Sequence, residues 1–494
     1  MGDVEVPGAG DRVAELEAMV DALVAQNERL IARVADLERQ LGRHSGVSGK
    51  PPSSDTLGQR EAQNAERQSR VERRRAARAK AKELMRDKGS EPRRPGKQPG
   101  EPGRHLEMVG DPDEVVVHRP GSCSGCGGGL AGADEVGVEH RQVFDLPRRR
   151  LEVTEHRAVS CRCSCGATTK ASFPTAARAT TSYGPLVRAL GVYLIGRQHL
   201  PIARAGELLE DALGAPVSTG WLAGLTLEAA AGLEPFLAEL RSQLQAADVL
   251  HADETGARVS GARWWFHVAC TDLLTLLDCH ERRGVEAFSD MGVLPFFSGV
   301  LVTDGWKPYW SMTSAEHALC CAHLLRDLAS VAQIATQSAW ADAMADLLVE
   351  AKRAVEAAGV DGLTPRQLRT LRSRYTRIVN AGRAANPDPG RKRNSLERES
   401  YNLLRRFDLQ RADICRHWTN PAIPFDNNEA ERGVRMVKLQ QKISGCFRTP
   451  AGARAFCAVR SYIQTANKHG IGLLDALTRL FNGDPWIPPT PTRP

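Results

Sequence analysis

Residues 247–259, ADVLHADETGARV, alternate apolar and polar side chains, so that Val249, His251 and Asp253 fall on one face of an extended strand. Residues 298–310, SGVLVTDGWKPYW, repeat the device, with Val300, Val302 and Asp304 sharing a face. Each apolar run ends in an aspartate with a glycine close behind, which predicts a strand carrying a carboxylate at its end. Between the two lie RWWFHVACT (263–271) and LTLLDCHERRG (274–284), two more strand-like runs, then a short helical stretch, GVEAFSDMG (284–292). A single strand-end aspartate is most often a turn residue. Two at corresponding places in one small domain ask for a common purpose.

Strand, strand, strand, helix, strand, with acids ending the first and last, is the arrangement of a ribonuclease-H-like core. A third acid comes from PFDNNEAERGVRMVKLQQK (424–442), which reads as an amphipathic helix rich in cations. The plain reading of Glu431 is a surface pair with Arg435, worth a few tenths of a kcal/mol. The alternative begins from metal chemistry. Hard divalent cations take oxygen ligands, and Mg²⁺ keeps water and substrate phosphate in its remaining positions. Two such ions, Mg²⁺ or Mn²⁺, held by Asp253, Asp304 and Glu431 would serve both oxygens of an in-line displacement. At 100° per residue, Glu431, Arg435, Lys438 and Lys442 fall within about 60° of arc, and Arg432 adjoins them. A carboxylate beside a row of cations suits a phosphodiester backbone, so these four basic residues are the expected DNA contacts.

The remaining sequence divides by composition. The chain has 494 residues and a formal charge of +7, which length alone spreads over about three domains. Residues 13–41 repeat Leu16, Leu23, Leu30 and Leu37 every seventh position, with Val13, Val20, Asn27, Val34 and Leu41 three residues earlier. That pattern predicts a parallel two-stranded coiled coil over 1–44, hence a homodimer or higher oligomer. Residues 60–104 hold 15 Lys or Arg against 7 Asp or Glu and account for the net charge. The span 45–105 is therefore expected as a flexible basic linker that tracks phosphates.

Residues 106–178 are expected to form a zinc ribbon. Cys123 and Cys126 stand at C-x2-C spacing, and CRCSCG offers Cys161, Cys163 and Cys165. Four thiolates close a structural zinc site, so Cys163 and Cys165 complete the set, with Cys161 as the alternative. QVFDLP and LEVTEHRAVS, in between, alternate like paired strands. Residues 179–245 read as helices, in which 202–214 and 218–233 resemble a helix-turn-helix expected to bind DNA. The final residues, 483–494, are expected to be an extended proline-rich tail. No basic n-region followed by an apolar run opens the chain, and no stretch approaches the ~20 apolar residues of a membrane span. A cytoplasmic, nucleoid-associated protein with no membrane contact is the expectation.

HADETGARV, VTDGWKPY, LCCAHLLRDL and FDNNEAERGVRMVKLQQKISGCFRT, with KPPSSD and GKQPGEPG upstream, resemble the transposases of the insertion sequence 66 family over nearly the whole chain. The resemblance implies a bacterial DDE transposase whose triad falls on Asp253, Asp304 and Glu431, Glu429 being the weaker candidate. It also implies a helical insertion, here 330–420, splitting the catalytic core into 246–329 and 421–482. Small accessory proteins encoded by the same element are implied too. Cys320 and His323 form a C-x2-H pair similar to one in several DDE superfamilies, expected to shape the site. The expected fold class is thus mixed and multidomain: coiled coil, zinc ribbon, helical DNA-binding region, and an α/β ribonuclease-H-like domain with a helical insertion. Two rivals share the motifs: a catalytically silent DNA-binding regulator or domesticated copy, and a nuclease that cuts without joining.

Overall fold

The computed structural model describes residues 57–85, 107–145, 151–174, 177, 179–388 and 396–490, and the expected coiled coil lies outside them. Leu57–Leu84 forms helix α1, within the span expected to be a flexible linker. Ala77 and Ala81 are buried, and Lys80 pairs with Asp342 at 2.7 Å. The linker reading is corrected here for a physical reason. Arg, Lys, Glu, Gln and Ala are strong helix formers, and alanines four residues apart make a narrow apolar face that a neighbour can cover.

In the cysteine-rich region, strands β1 (Ser160–Arg162) and β2 (Thr168–Lys170) pair antiparallel around the second cysteine cluster. The described parts of QVFDLP and LEVTEHRAVS form no regular strand before Ser160. Their alternation buries no face among the described residues: Val143 is 92% exposed and Val153 89%.

Helices α2 (Pro185–Val192), α3 (Ile202–Leu213), α4 (Thr219–Gly232) and α5 (Glu234–Gln245) follow. Gly214, at φ 64°, ends α3, and the Ser218 hydroxyl caps α4 by accepting from the Trp221 amide at 3.1 Å. These helices do not have a core of their own. Their buried residues belong to the same core as Leu250 and Ala252 of the sheet and Tyr462 near the C-terminus. Helix α4 carries no Lys or Arg.

The sheet comprises β3 (Val249–Val259), β4 (Ala262–Cys270), β5 (Thr275–His280), β6 (Val300–Thr303) and β7 (Glu316–Leu319), with α6 (Val285–Met291) between β5 and β6. Strand order is β5-β4-β3-β6-β7. The first three pair antiparallel, whereas β3–β6 and β6–β7 are parallel. Ser260 and Gly261, both at positive φ, make the tight β3–β4 turn, the twist a two-residue hairpin needs.

Beyond β7 a helical layer begins with α7 (Cys321–Val331) and continues through α8 (Ser338–Ala358), α9 (Pro365–Ala385), α10 (Leu396–Leu409), α11 (Arg411–Ile414) and α12 (Arg416–Thr419). It has its own core around Trp340, Leu348, Tyr375, Phe407 and Trp418, which also takes in Ala81 of α1. The chain then returns to the sheet with α13 (Asn428–Ser444), α14 (Pro450–Lys468) and α15 (Leu473–Phe481). Residues of α13 and α14 cover Val268, Phe266 and Cys279 on one sheet face. The segment after α15 is docked as far as it is described: the Trp486 amide donates to the Tyr462 hydroxyl at 3.0 Å, and Gln243 Nε2 to the Pro488 carbonyl at 3.0 Å. The described helices include none long and apolar enough to cross a membrane.

Candidate active site

Asp253 does not end its strand. β3 runs on to Val259, because Thr255, Gly256 and Ala257 stay in register with Phe266, Trp265 and Trp264 of β4. What ends near Asp253 is the parallel neighbour: the last β3–β6 pair is His251 with Val302, and Asp304 follows directly after β6. Polar residues 253–255 thus sit where one side of β3 loses its partner. Asp304 Oδ1 accepts from the Trp306 amide at 2.8 Å. Between them, Gly305 has φ 82°, and a Cβ there would lie 2.8 Å from Leu319 Cδ2, so the turn that presents Asp304 requires glycine.

Glu431 is in the first turn of α13, where a carboxylate complements the helix dipole. Helix α13 lies close on the sheet because Gly433 has no side chain: a Cβ there would be 2.9 Å from Val268 Cγ2, and Val268 is the residue opposite Asp253. Fully buried Asn427, just before the helix, fixes its entry. His251 Nδ1 donates to Asn427 Oδ1 at 2.8 Å, Asn427 Nδ2 donates to the Ala252 carbonyl at 2.8 Å, and the Asn427 amide donates to Cys320 Sγ at 3.2 Å. One side chain and its amide therefore join β3, the end of β7 and α13. Asn427 went unnoticed in the sequence, since a polar residue before a helix reads as an exposed cap.

Electrostatics sort the acids. Asp253 is raised to about 7, first by burial, then by the charge of Glu254, with further contributions from Asp304 and Glu431. Glu429 is engaged by other partners. Its oxygens meet Arg432 at 2.7 Å and Lys468 at 3.4 Å, and it lines a cavity of about 330 Å³ with Thr271, Asp272 and Asp426. Glu431 Oε1 lies 3.3 Å from Arg326 Nη2 and 3.6 Å from His323 Nδ1, while Oε2 accepts from Arg435 at 3.2 Å. The carboxylates of Asp253, Asp304 and Glu431 do not close into a set within 4.8 Å of one another.

Beside Asp253 stands a second buried carboxylate, Glu254, that sequence reading passed over. Arg283 Nη2 donates to its Oε1 at 2.6 Å and Tyr309 to its Oε2 at 2.5 Å. Arg283 in turn lies over the rings of Trp265, 4.6 Å from the centroid, and Trp306, 3.9 Å away. This network ties β3, β4, the segment after β5 and the segment after Asp304 into one wall.

The four cations of α13 are exposed, but not equivalent. Arg432 and Arg435 are paired to Glu429 and Glu431, Lys438 donates to the Gly256 carbonyl of β3, and Lys442 lies in the last turn. Cys320, which precedes α7, and His323 lie 3.2 Å apart, next to Glu431. In the cysteine-rich region, Cys123 is held below the usual thiol range, first by the Cys126 amide, and Cys163 likewise by the Cys165 amide. Those are two half-sites suited to thiolates, and Cys161 lies on β1. Among the described residues no three of these sulfurs lie within 4.8 Å of one another.

Two matches to known families follow this division of the chain. A family described as "Transposase IS66 family" matches residues 180–455, more than half the chain and all three carboxylates. The "zinc-finger binding domain of transposase IS66" matches residues 120–166, both cysteine clusters included, which supports a structural zinc. Residues 6–107 match a family of unknown function, and comparison with curated proteins gave no match. The class is that of a transposase, a DNA-binding enzyme of transposition, with a zinc finger ahead of its main domain. The chain belongs to the transposase IS66 family.

Proposed function

We propose that the chain is a DDE transposase with a ribonuclease-H-like catalytic core, cleaving DNA strands at the ends of a bacterial insertion sequence and joining the 3′ ends to target DNA. The observation that carries the reading is structural: Asp304 follows β6 where its pairing with β3 stops, two residues short of Asp253, and Gly433 lets α13, which carries Glu431, pack on Val268 opposite Asp253. The strand order, with β3 central and its first three strands antiparallel, supports the ribonuclease-H-like assignment. Hard oxygen donors beside like charge suit Mg²⁺ or Mn²⁺, and Asp253, Asp304 and Glu431 would hold it. Bound there, two such ions would supply charge for the attacking and leaving oxygens of phosphodiester exchange.

The protein's own groups do the rest. Asn427 and Gly433 hold Glu431 against β3, and Arg326 and Arg435 orient its two oxygens. Arg432 and Lys442, exposed on α13, would take flanking phosphates, with Arg435 and Lys438 closer to the reacting centre. The wall of Trp265, Arg283 and Trp306 offers aromatic and cationic surface to an unpaired strand end. Water and then the freed 3′ hydroxyl would act in turn as nucleophile at one site. Zinc would be held by Cys123, Cys126, Cys163 and Cys165, with Cys161 the alternative to Cys163. The heptads at 13–41 would pair two copies, and accessory proteins of the element would complete the assembly.

Manganese binding tests the site directly. Electron paramagnetic resonance on the chain with end DNA should count about two Mn²⁺ per active site. Asp253→Asn and Asp304→Asn should abolish that binding, and undiminished Mn²⁺ in both would remove the reading.

A further inference from the structure

Cys320, His323 and Glu431 each place a ligand atom within 4.8 Å of the other two, the one such group among the described residues. We propose that these three form a site for a tetrahedral transition-metal ion, zinc by the character of its donors, with solvent in the fourth position. The spacing supports it. Tetrahedral zinc sets a sulfur about 3.6 Å and an oxygen about 3.4 Å from a shared imidazole nitrogen. Here His323 Nδ1 is 3.2 Å from Cys320 Sγ and 3.6 Å from Glu431 Oε1. These two distances are within tenths of an ångström of a liganded arrangement, and the sulfur-to-carboxylate distance is within 4.8 Å.

Burial pushes the Cys320 thiol up to about 12, so the ion itself must draw off its proton, and two local features assist. Cys320 stands at the N-terminus of α7, where unpaired amides favour negative charge. The Asn427 amide already donates to its sulfur at 3.2 Å. Binding would release the Cys320 proton to solvent, leaving thiolate and carboxylate to balance the ion's two charges. Sulfur, imidazole and one carboxylate select a borderline-soft ion over Mg²⁺, which prefers all-oxygen shells. The site is therefore distinct in chemistry from the one proposed for Asp253 and Asp304, although both draw on Glu431. A carboxylate has two oxygens, and Oε1 is the one nearest His323, where the ion would take the place of the Arg326 contact at 3.3 Å. The inference rests on the proposed function only in its consequence, that an ion here would fix Glu431 for its catalytic task.

The test is elemental analysis of the full chain after washing with chelator. We expect about two zinc ions per chain, one in the zinc finger and one here. Cys320→Ser with His323→Ala should remove one, and an unchanged count would overturn the proposal. Because that variant is in the core, a second measurement leaves these residues intact. The chain with Cys123, Cys126, Cys161, Cys163 and Cys165 all changed to Ser should still bind one Co²⁺ and show thiolate-to-cobalt charge-transfer absorption. Absence of that band would also overturn it. Asp253→Asn with Asp304→Asn should keep this metal while losing Mg²⁺-dependent activity. Full activity there would refute the DDE reading and leave the metal count standing, so the two failures are distinguishable.

Discussion

Replacing Asn427 by alanine removes a small polar group, yet the geometry predicts a large loss. Its side chain makes two hydrogen bonds, to the His251 ring and the Ala252 carbonyl, and all three residues are buried. Each buried partner left unsatisfied costs about 1–3 kcal/mol, so the loss should total roughly 2–6 kcal/mol. The contact of the Asn427 amide with Cys320 Sγ belongs to the backbone and should survive. The damage should be local, loosening the first turn of α13 from β3. Native-state hydrogen exchange is the suitable assay, because it reads opening energies segment by segment in a chain with more than one core. Amides of 249–254 and 428–437 should lose protection, whereas those of α8 and α9 should not. Asn428→Ala, at the exposed neighbouring position, should stay within about 0.5 kcal/mol of the parent. A loss below about 1 kcal/mol at Asn427 would refute the claim that this side chain holds the helix to the strand.

Gly433→Ala should displace Glu431 as well. The new methyl meets stiff, buried Val268, which costs about 1–3 kcal/mol against about 1 kcal/mol gained in helix propensity, so activity should fall far more than DNA binding. Normal activity with a crystal structure unchanged at Glu431 would contradict this. Acid should weaken the fold through His267 and His417, both depressed to about 4 by burial. In the unfolded chain they titrate near 6.5, so U binds more protons than N between those values and stability falls as pH drops from about 6.5 to 4, by roughly 3 kcal/mol per residue. His267→Gln should flatten that slope in denaturant titrations, and an unaltered slope would rule out its part. Arg432→Ala and Lys442→Ala should each lower the slope of log K against log salt for end DNA by about one. No change in either slope would exclude these phosphate contacts.

Much of this candidate site is proposed from residue order, because its acids are local signals. Alternation around Val249–Asp253 and Val300–Asp304 marks two buried strands, and Glu431 stands out on a cationic helix. The extension of β3 was hidden, since Asp253, Glu254, Thr255 and Gly256 read as a turn when no partner is known. Pairing with β4 overrides that local preference. Helix α1 was hidden for the opposite reason: its charge suggested solvent, while the decisive residues were two small alanines covered by a distant helix. The shared core of helices 185–245 with the sheet was equally invisible, because an amphipathic face does not name its partner. Glu254, Arg283 and Tyr309 come together from three segments, and nothing in local spacing announces such a network.

The most direct measurement is strand transfer from a supercoiled donor plasmid carrying the element's ends, with Mg²⁺, purified chain and any accessory proteins of the element. Asp253→Asn, Asp304→Asn and Glu431→Gln should each abolish both cleavage and joining while end binding remains, and Glu429→Gln should stay active. Joined products from either aspartate variant would contradict the triad, and activity lost in Glu429→Gln but kept in Glu431→Gln would show that the other glutamate is the third ligand.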